Sequence, residues 1–200
     1  MEAFGNPLGI TPYLDRMARE QTFAANSFTC QPVCGPARSC LQTGQYATQT
    51  GCFRNGIALR EDATTLARCF HQAGYHTGYI GKWHLADDQR VKPEQRGGYR
   101  QWLAANATES CSDDFNCILY DDADNEVKLP GYRVDAQTDA AIRFVDDHRD
   151  EPFFLFVSYL EPHFQNHRDD YPAPWGYQQK YQSQWIPPDL AALGGSTHQH

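Results

Sequence analysis

The sequence predicts an α/β fold, and three observations predict it. A capped helical stretch, Asp62 to Ala73, stops at Gly74 and runs directly into a strand, Tyr75 to Ile80. A continuous apolar run, Phe153 to Leu160, has the character of a strand covered on both faces, as in a parallel sheet. Both strands give way to short polar segments, Gly81 to Leu85 and Glu161 to His163. Loops after strand ends are where α/β proteins place their ligands. Helix and strand signals in this order specify a sheet layered with helices.

The elements follow in order. Thr11-Pro12 opens a short helix through Glu20, with Leu14, Met17 and Ala18 as its apolar face. Thr22 to Thr29 reads as extended chain leading into Cys30-Gln31-Pro32-Val33-Cys34-Gly35-Pro36-Ala37-Arg38-Ser39-Cys40-Leu41-Gln42-Thr43-Gly44. Pro36 suits a first helical turn, Ala37 to Thr43 continue the helix, and Gly44 ends it. Cys34 is thereby placed at a helix N-terminus, where free N–H groups and the helix dipole favour negative charge. A thiol there is acidified, and an anion would be held there too. Arg38, four residues on, shares the same helical face. Tyr46 to Leu59 is irregular. The helix from Asp62 offers Leu66, Cys69, Phe70 and Ala73 as one apolar face.

Ala86 to Pro130 is polar and loop-rich, apart from a hairpin of Ile118–Tyr120 and Glu126–Leu129. The acidic turn between them, Asp121 to Asn125, lacks the glycine and distal glutamate of a calcium loop and reads as a solvated turn. Asn106-Ala107-Thr108 is a glycosylation sequon by pattern. Tyr132 to His148 reads as a helix, with Ala136, Ala140, Ile142 or Arg143, and Phe144-Val145 along it. From Gln165 onward the chain is aromatic and proline-rich, with no core strand in its pattern.

Composition sets the outer bounds. The chain has 200 residues, 40% of them hydrophobic, which is enough apolar material for a core. A net charge of −8 argues against nucleic acid as a partner, since such proteins show a basic face. No apolar run approaches the ~20 residues that span a bilayer, so no membrane partner is expected. The start, Met1 to Pro7, lacks a basic region followed by an apolar one. Seven cysteines stand at positions 30, 34, 40, 52, 69, 111 and 117. No Cys-x-x-Cys pair occurs among them, which argues against a zinc ribbon. Cys40 and Cys69 read as small apolar residues on buried helix faces. A Cys111–Cys117 disulfide stays open at this point.

Three stations, Cys34 to Arg38, Gly81 to Leu85 and Leu160 to His163, together resemble the sulfatase family of the alkaline-phosphatase-like superfamily. Cys34-Gly35-Pro36-Ala37-Arg38 resembles its Cys-x-Pro-Ser-Arg signature, with Ala37 where serine is usual, and Leu41-Gln42-Thr43-Gly44 is similar to its Leu-x-Thr-Gly. Gly74-Tyr75-His76-Thr77-Gly78-Tyr79-Ile80-Gly81-Lys82-Trp83-His84-Leu85 resembles its second signature closely. The resemblance covers essentially the whole chain.

It implies a mostly parallel sheet sandwiched by helices, and hydrolysis of sulfate esters. Cys34 would be oxidised to formylglycine by a maturation enzyme. A hydroxyl of the hydrated aldehyde would attack sulfur, and the second would expel sulfate. By the same resemblance, Arg38 would hold the formylglycine and Lys82 the sulfate and diol. His84 would be the diol's base or hydrogen-bond partner. His163 would contact sulfate and protonate the leaving oxygen, with Gln165 and Asn166 as further substrate contacts. The implied cofactor is a divalent cation, Ca2+ first and Mg2+ second, with Cys34, as formylglycine, among its ligands. The family's paired aspartates and its later metal-binding segment have no counterpart here. Residues 1–200 are therefore expected to be the N-terminal portion of one catalytic domain, truncated at both ends and inactive alone. The compartment, cytoplasmic or periplasmic and secreted, is left open for the same reason. The alternatives are a phosphate or phosphonate monoester hydrolase of the same superfamily and a cysteine-rich binding domain. The last leaves Arg38 and Lys82 to Leu85 unexplained.

Overall fold

The computed structural model describes residues 1–164, 171, 173–181 and 185–188. The chain divides into two compact units, Thr29–Pro172 and a smaller one of Met1–Phe28 with Ala173–His200. The smaller unit holds helix α1 (Pro12–Glu20), with proline at its start as expected. The expected apolar face of α1 is not buried: Leu14 and Met17 are exposed, and the buried residue is Asp15. The Asp15 carboxylate accepts from the Glu2 N–H at 2.9 Å and the Thr11 hydroxyl at 2.8 Å.

The larger unit holds, in chain order, α2 (Cys34–Thr43), α3 (Ala47–Thr50), α4 (Leu66–Gln72), β1 (His76–Lys82), β2 (Gln101–Ala105), α5 (Thr108–Cys111), β3 (Cys117–Tyr120), β4 (Glu126–Leu129), α6 (Arg133–His148) and β5 (Phe153–Ser158). A last short helix, α7 (Tyr177–Tyr181), belongs to the smaller unit. The strands form one five-stranded sheet in the order β4-β3-β2-β1-β5. β1 runs parallel to both β2 and β5, while β3 and β4 continue the sheet antiparallel. The sheet is thus mixed, and parallel pairing is confined to its three-stranded half. Among the described residues no helix is long and apolar enough to cross a membrane.

Several elements differ from the sequence reading for identifiable reasons. α4 starts at Leu66, not near Asp62, because Thr65 is the cap: its hydroxyl accepts from the Arg68 N–H at 3.2 Å. Asp62 is instead paired with Arg60. In the shortened helix Ala67 is the buried residue and Cys69 is exposed, so Cys69 is not a core thiol. β2 was hidden in a polar stretch, yet it pairs with β1 from Gly78↔Gln101 to Lys82↔Ala105. α6 buries Arg133, Ala136, Gln137, Ala140 and Phe144, leaving Ile142 and Val145 exposed. β5 is only half-buried along most of its length, because it is the edge strand of this sheet and not a central one.

The core lies around β1. Tyr79, Trp83, Leu85, Tyr99 and Trp102 are buried together, with the Tyr79 ring 5.0 Å from Trp83 and 5.2 Å from Trp102. Within β1, two glycines are required by close approach. A Cβ at Gly78 would lie 2.3 Å from the Phe144 ring. Gly81 has φ +107°, and a Cβ there would lie 2.1 Å from the Ser158 carbonyl oxygen. The ends of β1 and β5 thus meet where no side chain fits, and that junction positions the site.

Candidate active site

Cys34 is the first residue of α2, with Val33 in extended conformation before it. The helix N-terminus is fixed by Asn55, whose side-chain oxygen accepts from the Gly35 N–H at 2.8 Å. Gly35 also lies against the His84 carbonyl: a Cβ on it would stand 3.4 Å from that oxygen. The turn after β1 is therefore packed directly on the start of α2. Farther along α2, the Ser39 hydroxyl bonds the Pro36 carbonyl and meets Thr50, and Gln42 accepts from the buried Tyr99 hydroxyl at 2.9 Å.

Arg38 joins the helix to the sheet. Its Nη1 donates to the Lys82 carbonyl and the Ser158 hydroxyl, both at 2.8 Å, and to the Tyr79 hydroxyl at 3.4 Å. One guanidinium thus caps the ends of two parallel strands. A single nitrogen, Nη1, makes all three contacts.

Lys82 is 2% exposed, and its Nζ donates to Glu109 Oε1 at 2.6 Å. Glu109, on α5, is a site residue that the sequence reading missed. Burial disfavours its charge, but the hydrogen bond from Lys82 and that residue's charge prevail and hold the carboxyl below the usual range. An ammonium has three donors, so the pairing leaves capacity for a ligand. Nothing local marks Glu109: its partner lies 27 residues away in sequence. Ser158 was more legible, as the serine that ends the apolar stretch Phe153 to Val157.

His84 has φ +61°, a left-handed backbone that costs a non-glycine residue free energy. Its backbone N–H donates to the Asn106 carbonyl at 2.7 Å, and its Nδ1 is buried with no hydrogen-bond partner among the described residues. Burial, then the charges of Lys82, Arg38 and His163, push its pKa down to about 4, with Glu109 opposing. At neutral pH the ring is uncharged and retains a lone pair. His163 follows β5. Its Nδ1 lies 2.7 Å from the Phe164 carbonyl, which can only accept, so that nitrogen carries a proton and Nε2 is left for a ligand. The loop before it is held by buried Arg133, which donates to Glu161 at 2.6 and 2.9 Å.

The structure therefore gathers the Cys34 turn, Arg38, Lys82, His84 and His163 at one end of the sheet, with Glu109 added. Gln165 and Asn166 lie outside the described residues. Trp83 is core, fully buried. Asn106 is no accessible sequon: its amide accepts from the Ala86 N–H and donates to the Ala86 carbonyl, at 3.0 and 2.9 Å. In the acidic turn, the Asp121 carboxylate is used by the N–H groups of Ala123 and Asn125. Cys111 and Cys117 are both free thiols, so no disulfide joins them.

A divalent cation does not fit the described donor set at Cys34. Among the described residues, the only group of three His, Cys, Asp or Glu side chains close enough to share an ion is His76, His148 and Glu151. His76 begins β1, whereas Lys82 ends it, so that group lies at the opposite end of the strand from the site.

The chain is similar over 193 residues to the ulvan-active sulfatase of Formosa agariphila, with 36% identity covering 93% of this chain and 35% of that protein. It spans about a third of the length of the curated relatives it matches. The yidJ protein of Bacteroides fragilis superposes with a TM-score of 0.80 at 23% identity, over 98% of this chain and 46% of that one, which shows the shared fold. A structure in complex with its substrate D-glucosamine-2-N,6-O-disulfate superposes with a TM-score of 0.78 at 28% identity, over 96% of this chain and 37% of that one. The Sulfatase family matches residues 1–189, and with the helix N-terminus at Cys34 held against the ends of two parallel strands by Arg38, the chain belongs to that family.

Proposed function

We propose that this chain supplies the nucleophile end of an enzyme that hydrolyses sulfate esters of carbohydrates, with Cys34 as the precursor of formylglycine. The observation that carries the reading is the convergence on Cys34: a helix N-terminus packed on the His84 turn and tied by Arg38 to the ends of β1 and β5. Formylglycine supplies a hydrated aldehyde, a nucleophile with its own route of release. The remaining work belongs to side chains already described. Lys82, with the positive end of the α2 dipole, favours the developing anionic oxygens. Uncharged His84 accepts a proton at its free nitrogen. His163 holds its Nδ1 proton on a backbone carbonyl, so the proton for the leaving oxygen would be carried on Nε2. Arg38 keeps the turn in place.

The carbohydrate class rests on two relatives, the ulvan-active sulfatase and the protein bound to a glucosamine disulfate. The deciding experiment is co-expression with a formylglycine-generating enzyme, followed by peptide mass spectrometry across Cys34. The expected result is the mass loss that replaces a thiol by an aldehyde; a thiol left intact under conditions that convert a control substrate overturns the proposal. Turnover of aryl sulfate against aryl phosphate by the matured full-length enzyme then separates sulfatase from phosphate or phosphonate ester hydrolase.

A further inference from the structure

We propose that Cys30 and Cys40 are a redox pair whose disulfide brackets Cys34 and keeps it unpaired. Their sulfurs lie 2.9 Å apart, in direct contact. A disulfide bond is ~2.05 Å long, so closure asks for a movement of only about 0.9 Å. Cys30 sits in the loop before α2, and Cys40 is the seventh residue of that helix. Cys34 and Cys40, six positions apart at ~100° per residue, project from different sides of α2. The helix thus turns Cys40 toward the incoming loop and away from the direction of Cys34.

Reactivity is arranged to match. Cys30 is exposed and Cys40 half-buried, so a small oxidant reaches Cys30 first. Cys40 has its pKa raised by burial and by the neighbouring Cys30, which makes it the second partner to react. With a low-molecular-weight disulfide as oxidant, the Cys30 thiolate attacks one of its sulfurs and expels one thiolate, leaving a mixed disulfide on Cys30. Cys40, deprotonated, then attacks the Cys30 sulfur and expels the second thiolate. Two protein S–H groups and one external S–S bond become one protein S–S bond and two external thiols.

The consequence concerns the turn between them. Residues 30–33 are fixed in the described contacts by Gln31, which donates to the Phe53 carbonyl at 2.8 Å, and by Thr29, which donates to the Gln31 carbonyl at 3.1 Å. A Cys30–Cys40 bond anchors this segment to α2. It also removes Cys30, four residues away in the chain, as a competing partner for Cys34. This inference rests on thiol geometry and stands whether or not Cys34 becomes formylglycine.

The test is the protein equilibrated over graded ratios of reduced to oxidised glutathione, then blocked by alkylation and digested. Trypsin cuts after Arg38, so Cys30 and Cys34 share one peptide while Cys40 lies in the next. The expected product at oxidising ratios is a cross-link from Cys30 to Cys40 with Cys34 alkylated. The oxidised form is expected to melt about 5–10 °C above the reduced form, and C30S to abolish that gap. A Cys30–Cys34 or Cys34–Cys40 link as the main product overturns the proposal, as does alkylation of all three thiols at every ratio. A linked protein that melts no higher than the reduced one overturns the bracing role.

Discussion

His84 combines a left-handed backbone, a buried ring nitrogen without a partner among the described residues and a pKa of about 4. The ordinary value is 6.5, so between pH 6.5 and about 4 the unfolded chain holds a proton that the folded chain refuses. Stability is therefore expected to fall as pH falls through that window. Urea denaturation of wild type and H84Q at several pH values checks this, and the variant should show the shallower slope. Lys82 and Glu109 make the second prediction. Both are buried and are 2.6 Å apart, so E109Q leaves an ammonium without its counter-charge. The expected loss is about 3 kcal/mol of unfolding free energy. The double variant K82M/E109L should lose less than E109Q, because no charge is stranded; a double-mutant cycle by chemical denaturation reads both.

At the scale of elements, the junction of β1 and β5 carries most of the geometry. G81A would drive a methyl group into the Ser158 carbonyl at a φ that L-residues rarely adopt. The expected cost is about 2–4 kcal/mol, seen as a lower urea midpoint with an unchanged slope. Much of this level was legible in sequence. Pro36 and Gly44 marked α2 almost to the residue, and the hairpin of β3 and β4 stood out on either side of its acidic turn. β2 did not, because Gln101-Trp102-Leu103-Ala104-Ala105 is too short and too plain to show a period of its own, and its partner β1 supplies the pairing. The site was legible to the same depth. Cys34, Arg38, Lys82 and His84 are marked by local motifs, whereas Glu109 and Asn55 act through contacts 27 and 20 residues away in sequence.

At the scale of the whole molecule, large apolar side chains face solvent at many places, among them Phe28 at 93%, Trp175 at 87% and Tyr13 at 75%. Exposed aromatic rings give other chains apolar surface to pack against. The isolated chain is expected to enhance the fluorescence of an apolar dye in its native buffer and to self-associate as concentration rises. Sedimentation velocity across a concentration series checks the second point; a single monomer peak throughout would count against it. Arg38 has a related consequence for how the molecule comes together. Its guanidinium reads the Lys82 carbonyl from one strand and the Ser158 hydroxyl from its neighbour. If β5 slipped by one position against β1, Ser158 would move by about 3.3 Å and its side chain would turn to the other face. The guanidinium would then hold one strand and not two, and α2 would lose part of its mooring. Arg38 thus works as an assembly gauge: the helix that carries Cys34 docks fully only on a correctly aligned sheet.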